Sequence, residues 1–111
     1  MLADDDEQDL FEMSNLFPDT TGLPMTIWVS TRGHAQHDAR VKVCMAHGPK
    51  MDISNTAVVG IRAAPWLITG SLTTPDRLLV EKWILANQDA LIELWDGKID
   101  GVQFAIKHVK I

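Results

Sequence analysis

His34, His37 and His47 fall within one short stretch of the chain, with Asp38, Arg40 and Lys42 among them. Proton transfer near neutral pH wants an imidazole, and cations beside it can steady the charge that builds on a phosphorane. A toxin-like ribonuclease with His34 or His37 as base, and Arg40 and Lys42 on phosphate, is one chemistry this set could perform. An ordinary surface strand is the other reading. On a strand His37 and Asp38 point to opposite faces and cannot pair, whereas Asp38, Arg40 and Lys42 share a face as a solvated charge ladder. His34 and His37 lack a third ligand at metal spacing, and the single Cys44 cannot build a cysteine zinc site, so neither metal nor cofactor is expected. The phase of its strand puts Cys44 on the polar face as an inert, partly buried thiol with no activating base nearby in sequence. The glycine frames of nucleotide-binding loops and of hydrolase nucleophile elbows are absent.

The elements that must position these residues are legible from periodicity. Met25–Ser30 is β-branched and aromatic and stops at Thr31-Arg32-Gly33. From His37 to Met45 the chain alternates, with Ala39, Val41, Val43 and Met45 on one face. Thr56–Arg62 and Trp66–Thr69 supply two more strands around Pro65, and short links imply an antiparallel meander. Thr74 reads as the N-cap of a helix running from Pro75 to about Asp96, with Leu78, Leu79, Trp83, Asn87, Leu91 and Trp95 on its apolar stripe and Gly97 as its stop. After Gly101 the pattern suits a strand or a helical turn equally. The expected fold is α+β: a small curled antiparallel β-sheet packed on one long helix in the C-terminal half.

Length and composition agree with a single core: 111 residues, 46% hydrophobic and 23% charged. Charge is unevenly spread. Residues 1–22 carry Asp4, Asp5, Asp6, Glu7, Asp9, Glu12 and Asp19 without a Lys or Arg, which is −7, so the body from 23 to 111 holds +2 of the net −5. Pro18 to Gly22 is a run of turn formers and marks the arm's end. Within the arm Leu10, Met13, Leu16 and Phe17 recur at helical spacing, which suits a short amphipathic helix laid on its own body or on a partner. A near-neutral body behind an acidic arm disfavours direct duplex DNA binding. No apolar run reaches bilayer length, and an acidic N-terminus with one cysteine points to the cytoplasm rather than to export.

Trp28 and Trp66 sit in strands whose neighbours Ile27, Val29 and Leu67 already serve the opposite face. Either the arm covers these indoles or they form an aromatic patch of the kind that binds proteins.

Gly70-Ser71-Leu72, leading into Trp83, Asn87 and Leu94-Trp95, resembles a small bacterial family catalogued as domain of unknown function 4160. In that family a Gly-x-Leu turn precedes a helix of this Trp, Asn, Leu-Trp pattern. The family's Pro-Pro-His-x-His stretch matches Gly33 to Arg40 only at His34 and His37, without the prolines. The resemblance implies a compact β-rich domain with a C-terminal helix, often encoded beside toxin-antitoxin genes, and it implies no activity. The functional expectation is a non-enzymatic bacterial or phage interaction protein, in a toxin-antitoxin or anti-defence setting. Its partner protein would offer a basic nucleic-acid-binding cleft, engaged through Asp4, Asp5, Asp6, Glu7, Leu10, Phe11, Trp28 and Trp66. The ribonuclease with His34, His37 and Arg40 is the alternative, and a homodimer joined through its tryptophans is compatible with both.

Overall fold

Alternation of apolar and polar side chains builds a sheet with one buried face, and the computed structural model, which describes residues 13–111, shows five such strands. They are β1 (Met13–Leu16), β2 (Met25–Ser30), β3 (Arg40–His47), β4 (Thr56–Gly60) and β5 (Trp66–Thr69). All neighbours are antiparallel and the spatial order equals the chain order, so the sheet is the meander that short links imply. Ile27 and Val29, Val41 and Val43, then Val59 share the face turned to the core, each 2% exposed or less. The short helix α1 (Pro18–Thr21) joins β1 to β2 and closes on Gly22, which has φ 84°. No other residue fits there, because an added Cβ would also strike the carbonyl of the terminal Ile111.

The segment 13–16 was expected inside an amphipathic arm helix; it is instead the edge strand of the sheet, with Asn15 opposite Trp28 and Leu16 opposite Ile27. Leu16 packs against the core and Phe17 is exposed. Period-2 placement of Leu16 beside Ile27 wins over helical spacing once a β2 edge is available.

One long helix was expected, and two are found: α2 (Thr74–Ala86) and α3 (Gln88–Trp95). Asn87 breaks them apart. It is 3% exposed, and its side-chain amide donates to the carbonyls of Trp83 and Val109, at 3.0 Å each, while its oxygen accepts from the Val109 N–H at 2.7 Å. A short amide side chain that competes for backbone groups favours a break over helix continuation. The N-cap is Thr73 rather than Thr74: its hydroxyl accepts from the Asp76 N–H. Val80, Trp83 and Ile84 form the buried arc of α2, which leaves Leu78 and Leu79, both expected on the stripe, exposed. The final helix, α4 (Gly101–Lys107), starts at a capping box in which Asp100 and Gln103 each satisfy the other's backbone N–H. α4 seats Phe104 in the core. No helix among the described residues is long and apolar enough to cross a membrane.

Candidate binding site

The helices and the core occupy one face of the sheet, and the other face carries the unusual residues. One row crosses all five strands: Asn15, Trp28, Lys42, Val58 and Thr69 are successive cross-strand partners. A second row pairs Arg40 with Gly60 and Gly60 with Trp66. The Trp66 indole lies against Gly60 so closely that any Cβ there would strike its ring nitrogen. Gly60 thus lets an edge-strand indole lie across β4, and Trp66 still leaves 54% of its surface exposed. Trp28 is half-buried, with the Lys42 ammonium 4.6 Å above its ring centre, a cation–π contact worth about 0.5–1 kcal/mol at such a site. Both tryptophans therefore point away from the core, as their strand neighbours required.

Beside Trp28 the face deepens into a pocket of about 260 Å³. Trp28, Trp95 and His37 supply its aromatic walls, and Arg32, Arg40 and Lys42 supply three cations. No acidic side chain among the described residues lines it. The loop that closes it is held to the helical layer, because the Arg32 N–H donates to the carbonyl of Trp95 at 2.8 Å. The Arg32 side chain bends back on its own turn, donating from Nε to the Ala35 carbonyl at 3.2 Å. His37 lies over Trp95, ring centres 5.4 Å apart, and donates from Nδ1 to the Asp38 carbonyl at 3.0 Å.

The charge ladder expected of Asp38, Arg40 and Lys42 is not formed. Asp38 precedes the start of β3 and turns to Arg62, whose Nε donates to both carboxylate oxygens at 2.9 and 3.0 Å. The Ala39 backbone N–H, and after it the Arg62 guanidinium, hold the Asp38 carboxyl below its ordinary value of 3.8. Arg62 also stands 3.8 Å from Asp96, just past the C-terminus of α3. Arg32, Arg40 and Lys42 are left with no carboxylate within 4.0 Å among the described residues.

The three histidines do not assemble. His34 is exposed in the loop and does not line the pocket. His47 leaves altogether, donating from Nε2 to the Asp76 carboxylate at 2.8 Å, and so ties the end of β3 to the first turn of α2. Only His37 joins Arg40 and Lys42. Among the described residues no three of His, Cys, Asp and Glu gather as metal ligands. Cys44 lies on the outer-face phase of β3 as expected, opposite Thr56, yet is 1% exposed rather than partly buried. Asp4, Asp5, Asp6, Glu7, Leu10 and Phe11 lie outside the described residues. Sequence reasoning passed over Arg32 and Trp95. Arg32 looks like a turn residue, and Trp95 a core residue, until the fold brings the end of β2 against the end of α3.

Comparison with family models, with curated proteins and with solved structures finds no match for this chain.

Proposed function

We propose that the protein is a non-enzymatic binding module whose outer sheet face engages a partner protein. One observation carries the reading: a sheet face turned away from the helices presents Trp66, Trp28 and a basic pocket that no acidic side chain lines among the described residues. Aromatic and arginine side chains on an accessible surface are the residue types that dominate protein interfaces. The resemblance to the domain of unknown function 4160 family favours a bacterial or phage setting, toxin-antitoxin or anti-defence, inside the cytoplasm. The acidic residues Asp4 to Glu7 would steer the chain toward a partner with a basic nucleic-acid-binding cleft, and a second copy of this chain is a further candidate for the same face.

The test uses Trp66→Ala. Trp66 is largely exposed, so its loss should leave the fold intact while removing the aromatic contact. Affinity capture from the native cell with the parent chain should retain a protein that Trp66→Ala does not. Identical captured proteins from both chains would refute the reading, as would iodide quenching that reaches none of the four indoles.

The ribonuclease keeps one supporting observation, the meeting of His37 with Arg40 and Lys42 in one pocket. With its Nδ1 proton donated to Asp38, His37 offers Nε2 as the base. Among the described residues no second imidazole or carboxylate lines the pocket to return a proton to the leaving group. Incubation of the purified chain with RNA beside His37→Ala decides the matter; an inert parent chain removes this reading.

A further inference from the structure

At the far edge of the outer face an exposed indole stands beside two cations, and a base and its phosphate are the groups that such a pair receives. We propose that Trp66, Arg40 and Lys42 hold a nucleotide unit of single-stranded nucleic acid, with the base on the indole and the phosphate on the cations. Binding of this kind goes beyond the partner-protein reading and does not depend on it.

Gly60 builds the shelf. It is the cross-strand partner of both Arg40 and Trp66, and an added Cβ would meet Nε1, Cδ1 and Cε2 of the indole together. Contact with three ring atoms at once lays one side of the indole over β4, while 54% of Trp66 stays exposed. The side turned outward is a stacking surface, and because every nucleobase has a π-face, a shelf of this kind is tolerant of sequence. Trp28 and Trp95 do not serve in the same way: the Lys42 ammonium covers the Trp28 ring and Trp95 is 4% exposed.

Lying over β4, the indole is directed at β3, where Arg40 flanks Gly60 on its other side and Lys42 is the next residue on the outer face. The Arg40 Nε donates to the Asp38 carbonyl at 3.4 Å, so the terminal nitrogens of the guanidinium are the ones left to grip a phosphate. Lys42 is held on this face by its contact with Trp28. Arg32 is not counted, because its Nε is bound to the Ala35 carbonyl and its charge already acts on Asp38. A duplex keeps its bases stacked on one another, so the shelf selects a single strand. Two phosphate contacts on a chain of net charge −5 give weak binding. Its salt dependence is shallow: at about −0.7 per contact, the slope of log K against log salt is about −1.4.

The experiment titrates the full-length chain, at low salt, into a short fluorescent oligothymidylate, into the same strand paired as a duplex, and against unlabelled thymidine monophosphate as competitor. Anisotropy should rise with the single strand and much less with the duplex, and indole fluorescence should be quenched as the strand binds. Trp66→Ala should weaken binding by about 5- to 150-fold, the worth of one stacked base, while Trp66→Phe, which keeps a ring, should recover most of it. Arg40→Gln and Lys42→Gln should each reduce the salt slope by about 0.7. An unbound single strand would overturn the proposal, as would equal binding of the duplex or a Trp66→Ala chain that binds like the parent. Competition by the monophosphate as strong as that of the strand would overturn it in favour of a free-nucleotide site. A captured protein that depends on Trp66, without strand binding, rejects nucleic acid alone; strand binding without a captured protein rejects only the partner reading.

Discussion

The Trp83–His108 contact fastens the C-terminal segment to the core, and its strength follows from the geometry. Trp83 is fully buried, and its indole N–H donates to His108 Nε2 at 2.8 Å. The accepting nitrogen must be unprotonated, so the imidazole is neutral with its proton on Nδ1. Burial pushes the His108 pKa below its ordinary 6.5. Replacing His108 by Phe keeps ring contacts like those now made to Trp83 and Phe104, at 5.7 and 5.9 Å between centres, and removes the acceptor. A buried donor left without a partner costs about 1–3 kcal/mol. For a chain of this length that is a fall in Tm of about 4–12 °C. His108→Gln, which can present an oxygen to the indole, should recover part of the loss. The pH dependence has a definite sign. Because the folded pKa lies below the unfolded one, the unfolded chain binds more protons between the two values, and stability rises with pH across that window. His108 therefore destabilises progressively as pH falls from 6.5 to below its folded pKa, and His108→Phe should flatten that part of the profile. Thermal melts from pH 8 to pH 5, followed by indole fluorescence, test both statements. A His108→Phe chain that melts with the parent and keeps its pH profile would refute the hydrogen-bond argument.

Asn87→Ala removes three hydrogen bonds from a buried site and should cost about 2–4 kcal/mol, with Val109 and Ile111 amides losing hydrogen-exchange protection before the sheet does. Gly60→Ala must displace the Trp66 indole, so it should shift Trp66 emission and destabilise; in a Trp66→Ala background the same change should cost little, and additive costs in the double-mutant cycle would contradict the packing described. In Arg62→Gln the Asp38 carboxyl should rise but still titrate below 3.8, since the Ala39 N–H is the larger cause; carboxyl NMR reads this directly, and a return to 3.8 would show that Arg62 alone sets it. Asp100→Ala should remove the capping box of α4 at a cost of about 1 kcal/mol by denaturant melt.

Which of these features could be read from the chain depends on how local their cause is. Strand faces were legible because period 2 is a local property: Ile27, Val29, Val41 and Val43 lie on the core face as their spacing demands, and Trp28 and Trp66 on the other. The capping box of α4 was equally local, since Asp100 and Gln103 stand three apart, and that signal resolves the strand-or-helix ambiguity after Gly101. The break at Asn87 was not legible, because its cause is Val109, 22 residues away, whose backbone groups claim the side chain. The pocket divides along the same line. Arg40 and Lys42 share a strand face and could be named from sequence, but their lack of a carboxylate within 4.0 Å among the described residues could not. That lack arises because Asp38 leaves the strand for Arg62, 24 residues on, and because the end of α3 brings Trp95 beneath His37. A charge ladder that looks half neutralised in one dimension, one acid against two cations, becomes a cationic pocket when tertiary contact draws that acid away. The cationic character of this face is therefore a property of the fold, and if the face binds as proposed, restoring an acid to the ladder, as in Lys42→Glu, should weaken partner capture even with Trp66 intact.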